Sequence, residues 1–390
     1  MRVGGMIKTG LINIKKMKKI GWLLLLIAVL FVAILFTLDK GTIKIGFSGS
    51  LSSNNSPLGI AVKDGVVLAV EQINAQGGIR GKMIQLIIKD DENNPETARK
   101  VDAQLISEGV VAIVGHVTSA MTEAVLTQIN EKKMLLLSPT TSSLRVLDQD
   151  DYLISIHPPN IYEQEELARY VIDHTETKTV SIIYDANNSA FSQHWADYFS
   201  DTFKGLGGSI DLLVQFNSQT SDLQNGVAVL LENKPEAVLI VASAIDTALI
   251  CQQIEKRYPK QVLKLSSGWS LDDNLLEQGG SSVNGLVLPS SWDKESTAAD
   301  YLAFKDTFIK RYQREPEFAE SYGYEAIMLL AQILDRPIKP APGTIKNEIL
   351  NTGEFEGLQG KIIIDRLGKT KRDVFLFMVQ ERSFKRIAER

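Results

Sequence analysis

The stretch VAIVGHVTSAMTEAVLTQINEKKMLLLSPTTSS, residues 111–143, constrains the fold more tightly than any other part of this chain. A buried strand (Val111 to Val114) runs into the polar loop Gly115-His116-Val117-Thr118-Ser119. A helix follows, then a second apolar run (Met134 to Leu137) and the hydroxyl loop Ser138-Pro139-Thr140-Thr141-Ser142-Ser143. That order is one strand–helix–strand unit, and both strands deliver Ser and Thr at their C-terminal ends. In open parallel sheets, ligands sit in the crevice outside those ends. The first loop also leaves free N–H groups at the helix start, which favour an anion such as a carboxylate. A small carboxylated molecule is therefore the expected ligand.

The same alternation runs through the rest of the chain. Thr42 to Phe47 alternates like a first strand, and Ile60 to Ile73 carries apolar residues at helical spacing before the Gly77-Gly78 stop. Met83 to Lys89 is the next strand, followed by an acidic turn at Asp90-Asp91-Glu92 that reads as solvated and a helix over Glu96 to Glu108. His157-Pro158-Pro159 then forces an extended segment. A second set follows: strand Val180 to Tyr184, an Asn-Asn-Ser loop, helix Phe191 to Leu206 and another Gly-Gly stop. Strands Ala237 to Val241, Val262 to Leu265 and Gly285 to Pro289 come next, with a helix from Asp246 to Tyr258 and a long helical region from Ala298 to Leu334. Two strand-like runs, Lys361 to Ile364 and Val374 to Val379, close the chain. The pattern predicts an α/β protein of two doubly wound parallel-sheet lobes. A length of 390 residues suits that arrangement.

Composition excludes several classes. A net charge of −5, without a Lys/Arg stripe in the globular part, gives no nucleic-acid footprint. Cys251 is the only cysteine, so neither an internal disulfide nor a thiolate metal cluster is expected, and the four histidines lack metal spacing. No metal or other cofactor is expected. Gly77 to Lys82 completes neither the dinucleotide fingerprint nor the P-loop, and Gly46 to Ser50 is not a nucleophile elbow. An enzyme is not expected.

The N-terminal region 1–19 is basic, with Lys8, Lys15, Lys16, Lys18 and Lys19, and the run Ile20 to Leu38 is free of charge. This reads as a transmembrane anchor or signal helix with the lysines cytoplasmic, so everything from Asp39 onward is expected to be extracytoplasmic, tethered to the membrane by that run. No small-x-small cleavage site stands out between Ala33 and Lys40, and no cysteine follows for lipid modification.

Several motifs carry a family likeness. Gly46-x-x-Gly49, the segment LAVEQINAQGGIRGK (Leu68 to Lys82), DDENNPETA (Asp90 to Ala98) and the loops VGHVTSAMT and LSPTTSS resemble type I periplasmic solute-binding proteins. The closest group is the leucine/isoleucine/valine-binding, or receptor family ligand-binding, one. The resemblance covers about residues 42 to 380. It implies two lobes joined by three crossovers, placed near Pro158, Pro289 and Ile364: lobe 1 from 42–157 plus 290–363, lobe 2 from 158–289 plus 364–390. It implies that Val117 and Ser119 contact a ligand carboxylate, and that Thr140 and Ser142 hold the carboxylate and amino group, with Thr118 and Thr141 in the same loops. Phe191, or Ser189, stands where a second-lobe residue stacks on the ligand. Asp246 and the Ser267-Gly268-Trp269-Ser270 loop are the candidates for the ammonium partner and the opposing wall, Asp246 being equally a helix cap. Leu58 occupies a position often aromatic in amino-acid binders, and Thr118 and Asn93 stand where some relatives carry a disulfide.

The function implied is capture of a small amino acid or related carboxylate between two lobes for an ABC-type permease. Hinge closure would follow from contacts made only in the shut state. The runner-up is a tethered extracytoplasmic sensor acting through a partner protein.

Overall fold

The computed structural model describes residues 22, 24, 41–53, 56–220, 223–258 and 262–387. The expected anchor at Ile20 to Leu38 falls outside them except for Trp22 and Leu24. Among the described residues no helix is long and apolar enough to cross a membrane.

Two sheets form the frame. The first has five strands in the order β2-β1-β3-β4-β5: β1 (Ile43–Gly49), β2 (Ile84–Asp90), β3 (Ile113–Gly115), β4 (Leu136–Ser138) and β5 (Leu153–Ser155). All its pairings are parallel. Helices Ser56–Ala75 (α1), Pro95–Ser107 (α2) and Ser119–Lys132 (α3) make its crossovers. They start and stop where local chemistry dictates. Asn94 accepts from Glu96 N and Thr97 N ahead of a proline in the first turn of α2. Gly77 and Gly78, with φ of 95° and 73°, take the left-handed geometry that ends α1.

The second sheet has seven strands in the order β15-β14-β10-β9-β8-β6-β7. Strands β6 (Thr179–Asp185), β7 (Ser209–Phe216), β8 (Ala237–Val241), β9 (Leu263–Ser266) and β10 (Val287–Ser290) are parallel. Two lobes with parallel cores are as expected, but this sheet is mixed. Its edge is the hairpin β14 (Phe375–Gln380) and β15 (Ser383–Arg386), antiparallel to β10 and to each other. The turn residues Glu381 and Arg382 have φ of 48° and 59°, the geometry of a two-residue hairpin that leaves no room for a crossover helix. A small antiparallel sheet, β11 (Glu354–Gly357), β12 (Gly360–Ile364) and β13 (Thr370–Lys371), lies between the second lobe's edge hairpin and the preceding helices in sequence.

The chain passes between the two large sheets three times: between residues 155 and 179, after 290, and before 375. The long helical region is two helices, Ala299–Tyr312 and Phe318–Leu334, broken where Gln313 turns left-handed (φ 58°) ahead of Pro316. The second of these lies along α1. A Cβ on Gly65 would stand 2.0 Å from the Glu320 carbonyl oxygen, and one on Gly323 would stand 2.4 Å from that of Val62. Only glycine at both points lets the backbones approach so closely. The resulting core joins Val62, Val66 and Phe47 to Tyr322, Ala326 and Leu330. The second lobe's α/β interface is aromatic, with Trp195, Phe199 and Phe203 stacked along helix Ser189–Gly205 and fully buried.

Candidate functional site

The C-terminal ends of β3 and β4 carry the two hydroxyl loops, and their own hydrogen bonds fix them. Thr118 caps α3, with Oγ1 accepting from Met121 N at 3.4 Å. Ser138 Oγ donates to the His116 carbonyl at 2.8 Å, and Thr140 Oγ1 donates to the Val117 carbonyl at 2.7 Å, so the loops brace each other. Thr141 faces inward: its hydroxyl shares hydrogen bonds with Thr122 (2.7 Å) and Ser138 (2.8 Å).

Beneath these loops lies a buried charge cluster. His116 Nδ1 stands 2.6 Å from Asp91 Oδ2, and Nε2 stands 3.1 Å from Asp102 Oδ2, with all three side chains fully buried. Both ring nitrogens face carboxylates, which requires both to donate and makes the ring an imidazolium. Burial works against that charge, but Asp102 and Asp91 outweigh it and hold the His116 pKa at about 10. Asp91 is thus not part of a solvated acidic turn. It is 0% exposed, because β2 ends directly beside the His116 loop.

A cavity with about 410 Å³ of empty space, counting its mouth, opens between the lobes. Val117, Thr118, Ser119, Thr140 and Ser142 line it from the first lobe, and Phe191 and Trp269 from the second, their rings edge-to-face at 5.5 Å. Leu58 and Phe318 complete the apolar wall. Ser119 stands at the start of α3, 2% exposed, and its Oγ has no hydrogen-bond partner. A buried, unpartnered hydroxyl at a helix N-terminus suits an anionic oxygen. From the other lobe, Asn188 Oδ1 accepts from Ala120 N at 3.2 Å, so the two lobes touch across the cleft.

Thr141 and Asp246 are not in the lining. Asp246 sits in the first turn of helix Ala244–Arg257, where Ser243 Oγ donates to its carboxylate at 2.7 Å and accepts from its N–H at 3.2 Å. Burial, with Asp185 adding repulsion, lifts its pKa to about 6. Trp292 lies outside the lining and in the core, 1% exposed and edge-to-face with Tyr301.

Sequence reasoning missed Glu163 and His157, which both line the cavity. Glu163, in the first turn of helix Ile161–His174, is 2% exposed. Its Oε1 accepts from Ser291 N (3.1 Å) and Ser291 Oγ (3.0 Å), and burial raises its pKa to about 7. His157 Nδ1 donates to the Pro158 carbonyl at 2.7 Å, and burial drops its pKa to about 4, so the ring is neutral. Its edge packs on Tyr322 at 5.3 Å. Tyr322 donates to the Ser291 carbonyl at 3.0 Å and carries the Arg372 guanidinium 4.8 Å from its ring centroid. Residues from all three passages between the sheets therefore converge on one tyrosine. In the EQEE run, Glu163 and Gln164 are buried while Glu166 is exposed, so the run's composition carries no sign of the burial.

Two α/β lobes, three connections and one cleft lined by hydroxyls and aromatics define a two-lobed solute-binding clamp. The sequence profile of the periplasmic binding protein family matches residues 42–383. A Leu/Ile/Val-binding protein homolog of Brucella abortus is 24% identical over 341 residues, covering 84% of this chain and 87% of that protein. Among solved structures, a leucine binding protein from Thermotoga maritima superposes with a TM-score of 0.82 at 24% identity, covering 89% of this chain and 98% of that one. A branched-chain amino acid transporter substrate-binding protein of Streptococcus pneumoniae, in complex with isoleucine, gives 0.81 at 24% identity over 88% and 98%. The chain belongs to the type I periplasmic binding protein family, in its leucine/isoleucine/valine-binding group. It is a solute-binding protein and not an enzyme, as its family membership establishes.

Proposed function

We propose that this protein is the extracytoplasmic receptor of an ABC-type importer, and that it captures a small amino acid or related carboxylate between its lobes. The unpartnered Ser119 hydroxyl at the N-terminus of α3, facing the cavity, is the observation that carries the reading. A ligand carboxylate would dock there and against Ser142 and the backbone at Thr140, with Phe191 and Trp269 as the opposing wall. Contacts to both lobes exist only in the shut state, so ligand shifts the population toward closure and presents that form to a permease. Ile20 to Leu38 would tether the receptor to the membrane, with the preceding lysines inside.

A thermal-shift screen of the protein against amino acids, short peptides and aliphatic and aromatic carboxylates tests this. Ligand at about 100 times its dissociation constant should add roughly 2.7 kcal/mol of apparent stability. Ser119→Ala and Ser142→Ala should each weaken the hit by roughly 1–3 kcal/mol in titration calorimetry, the scale of a charge-assisted hydrogen bond. Unchanged affinity in both variants would sink the site assignment.

A further inference from the structure

We propose that the groove between helices Ala299–Tyr312 and Phe318–Leu334 is a second ligand site, separate from the cleft, and that it takes a small organic cation: an ammonium head on an apolar body.

The first of these helices lines the groove with Asp300, Ala303, Phe304 and Thr307, the spacing of a single helix face. The second lines it with Tyr324, Met328 and Gln332, again one face. Strand β11 and the residue after it add Glu356 and Leu358. Ala303 and Thr307 are short, and the helices leave a cavity between them. It holds about 780 Å³ of empty space, counting its mouth, against about 410 Å³ in the cleft. The two cavities share no lining residue.

The chemistry of the lining selects the occupant. Phe304 and Tyr324 form an aromatic corner, with ring centroids 4.7 Å apart and planes inclined at 50°. The Tyr324 hydroxyl donates to Gln72 Oε1 at 2.6 Å, which fixes that ring. Burial, with the Asp300 charge added, raises the Tyr324 pKa, so an acid stands beside the corner. Among the lining residues three are carboxylates and none is Lys, Arg or His. Glu325 is already engaged: its oxygens are held by the Leu358 N–H at 2.7 Å and the Arg372 guanidinium at 2.5 Å. Asp300 and Glu356 are different. Both are exposed, and neither side chain has an ion pair or hydrogen bond among the described residues. Lys361, whose charge Glu356 favours, is bonded to Glu354 instead.

A negative rim over an aromatic and thioether floor attracts positive charge twice, through the carboxylates and through the ring faces. Met328 and Leu358 offer apolar surface to the body of the molecule. An anion would meet two like charges at the mouth, and a neutral molecule would gain nothing from them.

The test is methionine-methyl NMR of the full-length protein, titrated with cyclohexylammonium, cyclohexanol and cyclohexanecarboxylate. The three probes share an apolar body and differ in charge. The Met328 signal is the one missing from Met328→Leu. Cyclohexylammonium should shift that signal and bind about tenfold tighter than cyclohexanol, the scale of a cation–π contact with carboxylates beside it. Cyclohexanecarboxylate should bind weakest, and added salt should weaken the cation. Asp300→Asn combined with Glu356→Gln, both at exposed positions, should bring cyclohexylammonium down to the level of cyclohexanol without moving the melting temperature. Ser119→Ala, which alters only the cleft, should leave the Met328 titration as in wild type. A Met328 signal that cyclohexylammonium leaves in place, or that all three probes shift alike, overturns the proposal. So does an undiminished response in the double variant, and so does its loss in Ser119→Ala, which would put the cation in the cleft.

Discussion

Replacing His116 by Asn is expected to destabilise the protein by about 3–5 kcal/mol, the cost of removing one partner from a buried charge pair. The imidazolium bridges Asp91 and Asp102, which both stand fully buried against it. Without it two carboxylates remain, and Asp102 Oδ1 already lacks a hydrogen-bond partner. The same cluster sets a pH signature. The folded-state pKa of about 10 is above the ordinary histidine value of 6.5, so the folded state holds the extra proton between those limits. Its stabilisation is complete below about pH 6.5 and is lost as pH rises toward 10, at about 1.4 kcal/mol per pH unit. Urea titrations from pH 6 to 10 should show that slope in wild type and its absence in His116→Asn. Parallel slopes would mean that the ring is neutral. Because the His116 carbonyl accepts from Ser138 and the next residues line the cavity, ligand affinity should fall with it.

Arg372→Met is expected to cost a similar amount, about 3–5 kcal/mol, for the same physical reason. The guanidinium is 8% exposed and Glu325 is 3% exposed, so removing the cation leaves a buried carboxylate whose remaining partner is the Leu358 N–H at 2.7 Å. Pairing Arg372→Met with Glu325→Leu should recover most of the loss, since two apolar groups leave no orphan charge. A double variant no better than the single would show that the stacking of Arg372 on Tyr322 matters more than the ion pair. Arg372 also depresses the His157 pKa, so its loss should raise that value, visible in the imidazole NMR titration.

What the sequence disclosed, and what it withheld, follows the range of the interactions concerned. Local signals were legible: Gly77-Gly78 as a helix stop, the short apolar runs as parallel strands, and hydroxyl loops at the ends of β3 and β4. Val117, Thr118, Ser119, Thr140, Ser142, Phe191 and Trp269 lie around one cavity. Non-local chemistry was not legible. Asp91, Asp102 and His116 are spread over 25 residues, and nothing in their spacing says that two acids and a base will share one void. Glu163 takes its hydrogen bonds from Ser291, 128 residues away. The antiparallel edge of the second sheet depends on a turn whose residues, Glu381 and Arg382, lack the usual Gly or Asn signal.

The close pairing of Ser56–Ala75 with Phe318–Leu334 also governs the order in which the molecule can be assembled. One partner is made near the start of synthesis and the other more than 240 residues later, yet the Gly65 and Gly323 contacts lock them with almost no clearance. The apolar stripe of Val62, Val66 and Ala69 must therefore stay uncovered while the whole second sheet up to β10 is being made. The second lobe's inner strands are contiguous in the chain and can pair before helix Phe318–Leu334 is made, so the lobe begun first waits longest for its covering helix, and the second lobe's edge hairpin comes later still. Delayed completion of that kind holds a chain in a loosely folded, threadable form for longer.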